Sequence, residues 1–514
     1  MRHHLLHYTL YIIHSTLALA ALCAASASRA DIALAPYFRD NAVLQRDKPL
    51  PIWGRADPGE NVTITFLSQT ATATADDMGR WRVTLRPIPA NATPTKLTAK
   101  GKNTITLRNI LVGDVWLCSG QSNMAWTIAS ARNPSDPTDD TDHPLIRHYK
   151  TPLTSAATPC DDVGGEWQEC TPATADDFSA VALNFGRELY KTLNIPIGLL
   201  NSSWGGTQIE SWMSPTALAA DPHWPAIRKR WQAWLSAHPA KEAQYQAALD
   251  ARSRALTAAK TLAQSTQPAP PIPPIPVRPE GPASRREPSA LYNSMIVPFL
   301  PAAIRGIIWY QGEANAPRYA EYRTLFPEMI RQWRADFQQG DIPFLYVQLA
   351  AYDRGADWPW QRDAQQAALK LPATAQALAI DNPDNDILHP KNKQTVAHRL
   401  FLAALALSYD RPVEHTGPVY STVTREGASL RVTFTHAAGL KTKDPLLPGF
   451  QIAGLDKKFH PATARIENET ILVSSPNVPD PLSVRYAWSP APPITLYNAA
   501  DLPASPFRTD DWEK

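Results

Sequence analysis

This sequence lacks an excess of charge of either sign. Its 514 residues carry 50 Lys and Arg against 48 Asp and Glu, and residues 1–30 hold two of the basic residues, Arg2 and Arg29, and no acid, so the remainder balances at 48 to 48. A chain without a net field has no electrostatic footprint for nucleic acid or an anionic membrane, and neither is expected as a partner. Cysteine is scarce: Cys23, Cys118, Cys160 and Cys170 are all there is. With no His or carboxylate beside them at ligand spacing, no metal is expected, and nothing in the sequence asks for a cofactor.

Long apolar runs are confined to the N-terminus. Arg2 and several His precede an apolar stretch through Leu17 to Ala25, and small residues end at Ser28-Arg29-Ala30 before Asp31. That is signal-peptide anatomy over residues 1–30. A lipoprotein anchor through Cys23 fits less well, because bulky Leu22 stands where a small residue is wanted. No later run is long enough to span a bilayer, so an exported protein, periplasmic or secreted, is expected. In an oxidising compartment Cys160 and Cys170 are expected to close a short disulfide loop and to leave Cys118 a buried thiol.

Tryptophan is plentiful, with 16 residues. Most serve packing, but an indole is also a flat surface on which a sugar ring can stack. The chain is long enough for several domains. Residues 31–112 read as short alternating runs, such as Val62-Thr63-Ile64-Thr65-Phe66, broken by turn residues, the pattern of an N-terminal β-sandwich. From 113 to 410 strand-like runs (Val115 to Cys118, Ile197 to Asn201, Ile304 to Trp309, Phe344 to Leu349, Ala377 to Ile380) alternate with helical patterns (Phe178 to Leu193, Lys393 to Leu407). That alternation predicts a parallel sheet with helices on both faces. Trp224, Ile227, Trp231 and Trp234 fall at helical spacing, and a Pro-rich connector follows at Pro268 to Pro279, so a helical and Pro-rich insertion is expected at about 220–285. From 411 to 514 alternating segments return as a C-terminal β-domain.

In an open parallel sheet, ligands bind beyond the C-terminal strand ends. The predicted strand ends carry Gly120-Gln121-Ser122-Asn123, Ser203-Trp204-Gly205-Gly206-Thr207 and Trp309-Tyr310-Gln311-Gly312-Glu313-Ala314-Asn315, and Asp386-Ile387-Leu388-His389-Pro390 precedes a helix. Any one of these is ordinary turn or cap chemistry. Together, in order, they supply what a serine nucleophile needs: Ser122, a base in His389, and a carboxylate in Asp386 to hold the imidazole's tautomer. The oxyanion needs donors, for which the N–H groups of Ser122 and Gly206 and the amide of Gln311 or Asn315 are candidates. Gln121, Asn123, Trp204 and Glu313 are candidate substrate contacts.

CSGQSNM, SWGGTQIESWMS, WYQGEAN and HPKNKQTVAHRL closely resemble the sialate O-acetylesterase family, a branch of the SGNH hydrolases. The opening LAPYFRDNAVLQRDKPLPIWGRADPGE and the closing LYNAADLPASPFRTDDW extend the resemblance over nearly all of the chain after residue 30. It implies a flavodoxin-like three-layer α/β/α hydrolase domain flanked by N- and C-terminal β-domains, removing O-acetyl groups from sugars without a metal. Ser122 matches the family's nucleophile, Gly206 the glycine of the second block and His389 the base. In the third block the superfamily's usual Asn gives way to Gln-Gly-Glu, so Gln311 takes that place with Asn315 as the alternative. Many relatives read Asp-Ile-His-Pro, and here Leu388 adds a residue. The acid is therefore Asp386 or the nearby Asp384, or the machine is a Ser122–His389 dyad.

Sialic acid would call for an Arg facing its carboxylate, with Arg132, Arg318 and Arg354 as candidates by position. Acetylated xylan or another polysaccharide would not. A carbohydrate-binding protein that has lost its chemistry would not be expected to keep Ser122, His389 and the glycines. An esterase for long acyl chains would want an apolar groove in place of a rim carrying Trp126, Trp204, Trp212 and Trp309.

Overall fold

The computed structural model describes residues 31–132, 140–262, 271–382, 384 and 386–512. The expected signal peptide lies outside them. The chain is mixed α/β, organised around a parallel sheet built from β1 (Thr104–Gly120), β2 (His143–Lys150), β3 (Trp167–Cys170), β4 (Ile197–Ser203), β5 (Gly306–Tyr310), β6 (Phe344–Gln348) and β7 (Thr374–Leu378) in the order β3-β2-β4-β1-β5-β6-β7. All neighbours run parallel except β3, which lies antiparallel on β2 at the edge. Helices α1 (Ser122–Ala125), α2 (Ala180–Leu193), α3 (Trp224–Leu262), α4 (Tyr319–Phe337), α5 (Trp358–Gln366) and α6 (Gln394–Ser408) connect the strands.

The two-residue period of a strand divides the core between the faces of the sheet. Val115 and Leu117 of β1, Ile307 and Trp309 of β5 and Phe344 and Tyr346 of β6 pack with Phe326, Ile330 and Trp333 of α4. The residues between them, Trp116, Cys118, Ile308, Tyr310, Leu345 and Val347, pack with Phe185 and Leu189 of α2 and with Val396 and Leu400 of α6. Central strands covered on both sides are apolar throughout, which is why they were visible in the sequence. Helix α2 begins where Ser179 Oγ accepts from Ala182 N (3.1 Å) and stops at Asn194, whose φ of 52° breaks the helical path.

The expected boundary at 112 falls inside a single strand. The first half of β1 pairs with Asn91–Lys100 and, in parallel, Leu111–Gly113 pairs with Val43–Gln45, whereas its second half is the middle of the parallel sheet. Asp114 pins the junction, bonded to Arg46 Nη2 (3.0 Å), Arg305 Nη2 (2.8 Å), Gln45 Nε2 (2.9 Å) and the Tyr409 hydroxyl (3.0 Å). Burial alone would raise this carboxyl; the guanidinium groups of Arg305 and Arg46 outweigh it and hold Asp114 below the usual carboxylate range.

After residue 411 come two four-stranded antiparallel sheets around a core that includes Leu430, Val432, Ile452, Ile471, Val473 and Tyr486. Arg362 of α5 ties this part to the parallel sheet. Fully buried, it donates to the carbonyls of Leu349 (3.1 Å), Ala350 (2.9 Å), Ser489 (3.0 Å) and Pro490 (2.7 Å). The insertion takes the form of the 39-residue helix α3, with Pro239 inside it, and of irregular backbone after 271.

The expected Cys160–Cys170 disulfide is absent, and all three described cysteines are free thiols. Cys170 ends β3 with its thiol turned inward onto the Thr141 carbonyl (3.2 Å), while Cys160 sits in a loop whose backbone N–H donates to Asn293 O (2.9 Å). The two side chains are held by different partners, so closeness in sequence does not bring them together.

Candidate active site

Three adjacent strands, β4, β1 and β5, end together, and the chain segments leaving them meet. Ser122 opens α1 directly after β1, half-buried. Its Oγ lies 2.8 Å from Nε2 of His389, which stands in the segment between β7 and α6. Gly205, after β4, packs against Ser122: a Cβ there would stand 3.2 Å from Ser122 Cβ. Gly206 follows with φ +71°, a conformation that a side chain would strain. No described acceptor takes the N–H of Ser122 or of Gly206, so both donors remain open.

His389 is held in a way the sequence did not announce. Its ring stacks on Trp126, centroids 4.5 Å apart and planes 12° from parallel. Behind it lies a buried polar network. Asn123 Nδ2 donates to Glu313 Oε1 (2.6 Å) and to Leu388 O (3.1 Å), the carbonyl just before His389, and its Oδ1 accepts from Lys393 Nζ (2.6 Å). Burial pushes the Lys393 ammonium down to about 7 and the Glu313 carboxyl upward. Burial, then the Lys393 charge, also holds His389 below the ordinary histidine value. A base kept neutral near pH 7 is ready to take a proton from Ser122.

Asp386 does not occupy the place expected of it. It is exposed, and among the described residues no hydrogen bond joins it to His389. The placement of Leu388 accounts for this. Leu388 is anchored through its carbonyl by Asn123 and packs its side chain against the core, which leaves Ile387 and Asp386 outside. Asp384 is engaged elsewhere, its Oδ2 accepting from Lys391 N (3.3 Å).

Two further assignments are corrected by the hydrogen bonds. Gln311 spends its amide hydrogens on Thr207 O (3.1 Å) and Asn315 Oδ1 (2.8 Å), and Asn315 bonds Glu210 Oε2 (2.9 Å) and Ile209 N (2.9 Å). Both are fully buried and brace the segment after Gly206 from behind; neither aims a donor at Ser122. Of the candidate substrate contacts, Gln121 and Asn123 are also buried, with Gln121 Oε1 accepting from Ala314 N (3.3 Å), and the Glu313 carboxylate faces Asn123. Both ends of the Asn123 amide are committed within the protein, whereas Glu313 Oε2 is buried without a partner. Trp204 is partly exposed, with the Arg285 guanidinium 5.9 Å above its ring.

Residues 112–249 and 232–407 match the family described as "Carbohydrate esterase, sialic acid-specific acetylesterase". The chain belongs to this carbohydrate esterase family. It is 30% identical to the sialate O-acetylesterase of Mus musculus over 92% of this chain and 93% of that protein, and 29% identical to that of Homo sapiens over 92% and 91%. Among solved structures it is similar to a carbohydrate acetylesterase from Xanthomonas citri, with a TM-score of 0.78, 34% identity, and 94% of this chain and all of that one covered. The protein is accordingly a carboxylic ester hydrolase, and the paired Ser122 and His389 stand at the motifs that carry the family resemblance. The buried Lys393 and the Trp126 stack are additional parts of the setting of His389. The one sequence signal for them was their place within SGQSNMAW and HPKNK.

Proposed function

We propose that the chain removes O-acetyl groups from acetylated sugars by a serine mechanism, with O-acetylated sialic acid as the substrate. The observation that carries this reading is the 2.8 Å approach of His389 Nε2 to Ser122 Oγ beside two open backbone donors. His389 takes the Ser122 proton as Oγ adds to the acetyl carbonyl. The N–H groups of Ser122 and Gly206 hold the oxyanion. As the tetrahedral species collapses, the imidazolium returns its proton to the departing sugar hydroxyl, leaving acetyl-Ser122. Water then attacks with His389 as base, acetate leaves, and the serine is restored. The imidazole is oriented by its stack on Trp126 and by the anchored Leu388 carbonyl, so the catalytic unit is a Ser122–His389 dyad.

The sialic acid reading draws on the family description and on the named mammalian relatives. The second reading, an esterase for acetylated xylan or another polysaccharide, is favoured by the Xanthomonas carbohydrate acetylesterase at 34% identity. Acetate release from 9-O-acetyl sialic acid and from acetylated xylan, measured side by side, separates the two. A flavodoxin-like α/β/α hydrolase domain over 113–410 between two β-domains fits the strand order, and export fits the composition of residues 1–30. Detection of a mature N-terminus near Asp31 in a periplasmic or secreted fraction tests the latter.

A further inference from the structure

Beside the catalytic turn lies a cavity of about 140 Å³ whose wall is shared between the segment after Gly206 and the insertion. Gln208 comes from the turn, Trp231 and Trp234 from α3, Arg286 from the chain re-entering the sheet, and Arg318 from the segment after β5. Its position relative to the chemistry follows from the chain. Gly205 is packed on Ser122, a Cβ on Gly206 would stand 3.8 Å from the Arg285 guanidinium, and Gln208 lies two residues beyond Gly206 while Arg286 follows Arg285.

The lining joins an aromatic wall and guanidinium groups to one carboxylate, that of the buried Glu210, which Asn315 Nδ2 binds at 2.9 Å. Trp231 and Trp234 stack on each other at 4.9 Å and 17° and remain partly exposed, a flat apolar wall on an otherwise polar helix. The guanidinium groups are loosely engaged. Arg318 reaches Ala314 O at 3.4 Å, Glu210 Oε1 at 3.5 Å and Glu321 Oε2 at 3.8 Å, all long, and its buried Nε has no hydrogen-bond partner. Arg286 meets Glu280 at 3.5 Å and keeps 45% of its side chain exposed. Arg230, by contrast, is fully committed to Glu321 by two bonds of 2.6 and 2.7 Å. The buried Gln208 Oε1 also lacks a partner, which leaves an acceptor open to a hydroxyl or amide N–H. A planar apolar wall beside two under-engaged guanidinium groups matches a sugar ring that carries a carboxylate.

We propose that this cavity is the subsite that selects an acidic sugar: Arg318 and Arg286 receive its carboxylate, Trp231 and Trp234 face its ring, and the ester is thereby presented to Ser122. The inference rests on the sialic acid reading above and assigns its specificity to the insertion. Arg132, paired with Asp176 at 2.7 Å, and Arg354, an exposed loop residue, take no part.

The test compares wild type with Arg286→Gln, Arg318→Gln and Trp234→Ala on 9-O-acetyl sialic acid, on an acetylated neutral sugar and on 4-nitrophenyl acetate. The expected result is that the ratio of kcat/KM for the acidic sugar to that for 4-nitrophenyl acetate falls tenfold or more in each variant, mainly through KM. Free N-acetylneuraminic acid should inhibit the wild-type hydrolysis of 4-nitrophenyl acetate and do so at least tenfold more weakly in Arg286→Gln, a surface change that spares the fold. If the wild type hydrolyses the acidic sugar but neither ratio nor inhibition moves in the variants, the subsite is refuted and the sialic acid reading stands. If the wild type shows no preference for the acidic sugar and no inhibition, both are overturned. If it prefers the acidic sugar and only Trp234→Ala matters, the carboxylate assignment is refuted.

Discussion

Replacing Asp386 by Asn distinguishes a triad from a dyad. If its carboxylate accepted the Nδ1–H bond of His389, the amide would favour the wrong tautomer, and the rate would fall by about 10³ to 10⁴, or roughly 4 to 5.5 kcal/mol of transition-state stabilisation. The structure places Asp386 in solvent with no hydrogen bond to the imidazole. An exposed carboxylate acts on a nearby cation through water, which is worth less than about 1 kcal/mol. Converted to a rate, that is about fivefold at most. Asp386→Asn should therefore retain at least about a fifth of wild-type kcat/KM on a small acetyl ester, with the shape of its pH profile unchanged. The profile must be measured over pH 4.5–9, so that a shift in the base is not mistaken for a loss of rate. A thousandfold loss would refute the dyad and return Asp386 to the triad.

Other outcomes follow from the same contacts. Trp126→Ala removes a stack worth about 1 kcal/mol and should lower kcat several-fold, with Trp126→Phe restoring most of it while KM stays put. Lys393→Met removes the charge that, after burial, depresses His389, so the acidic limb of kcat/KM should move to higher pH and activity at pH 5–6 should drop. The same lysine affects stability: its folded value of about 7 lies below the unfolded 10.5, so its contribution is fully present above pH 10.5 and is lost as pH falls toward 7, a slope that denaturant titrations of Lys393→Met should lack. Arg362→Met strands four buried carbonyls and should cost about 3–5 kcal/mol, seen as a lower melting temperature. Thiol titration without reductant should find Cys118, Cys160 and Cys170 all reactive in denaturant; finding Cys160 and Cys170 unreactive there would restore the disulfide.

Much of this was written in short-range pattern. Ser122, Gly206 and His389 stand at strand ends or before a helix, and the strands they follow are apolar on both faces, the easiest strand type to see. Strand β2, HPLIRHYK, went unseen because Arg147 and His148 read as surface although both are buried; burial pulls His148 down to about 4 and keeps it neutral. The Asp386 assignment came from spacing, which says nothing about how the added Leu388 turns the loop. Gln311 and Asn315 were read as oxyanion donors because they follow a strand end, but a sequence does not show that their amide hydrogens are already spent on Thr207, on Glu210 and on each other. The Glu313–Asn123–Lys393 network joins residues as far as 270 positions apart, beyond the reach of any local rule.

The central claim is that Ser122 is the nucleophile that carries the acetyl group. Acetate release from 9-O-acetyl sialic acid by Ser122→Ala, with the melting temperature measured on the same sample, tests it most directly. The account predicts a loss of several orders of magnitude in turnover at an unchanged melting temperature, because only a hydroxyl is removed. Turnover within tenfold of wild type in the folded variant would contradict it.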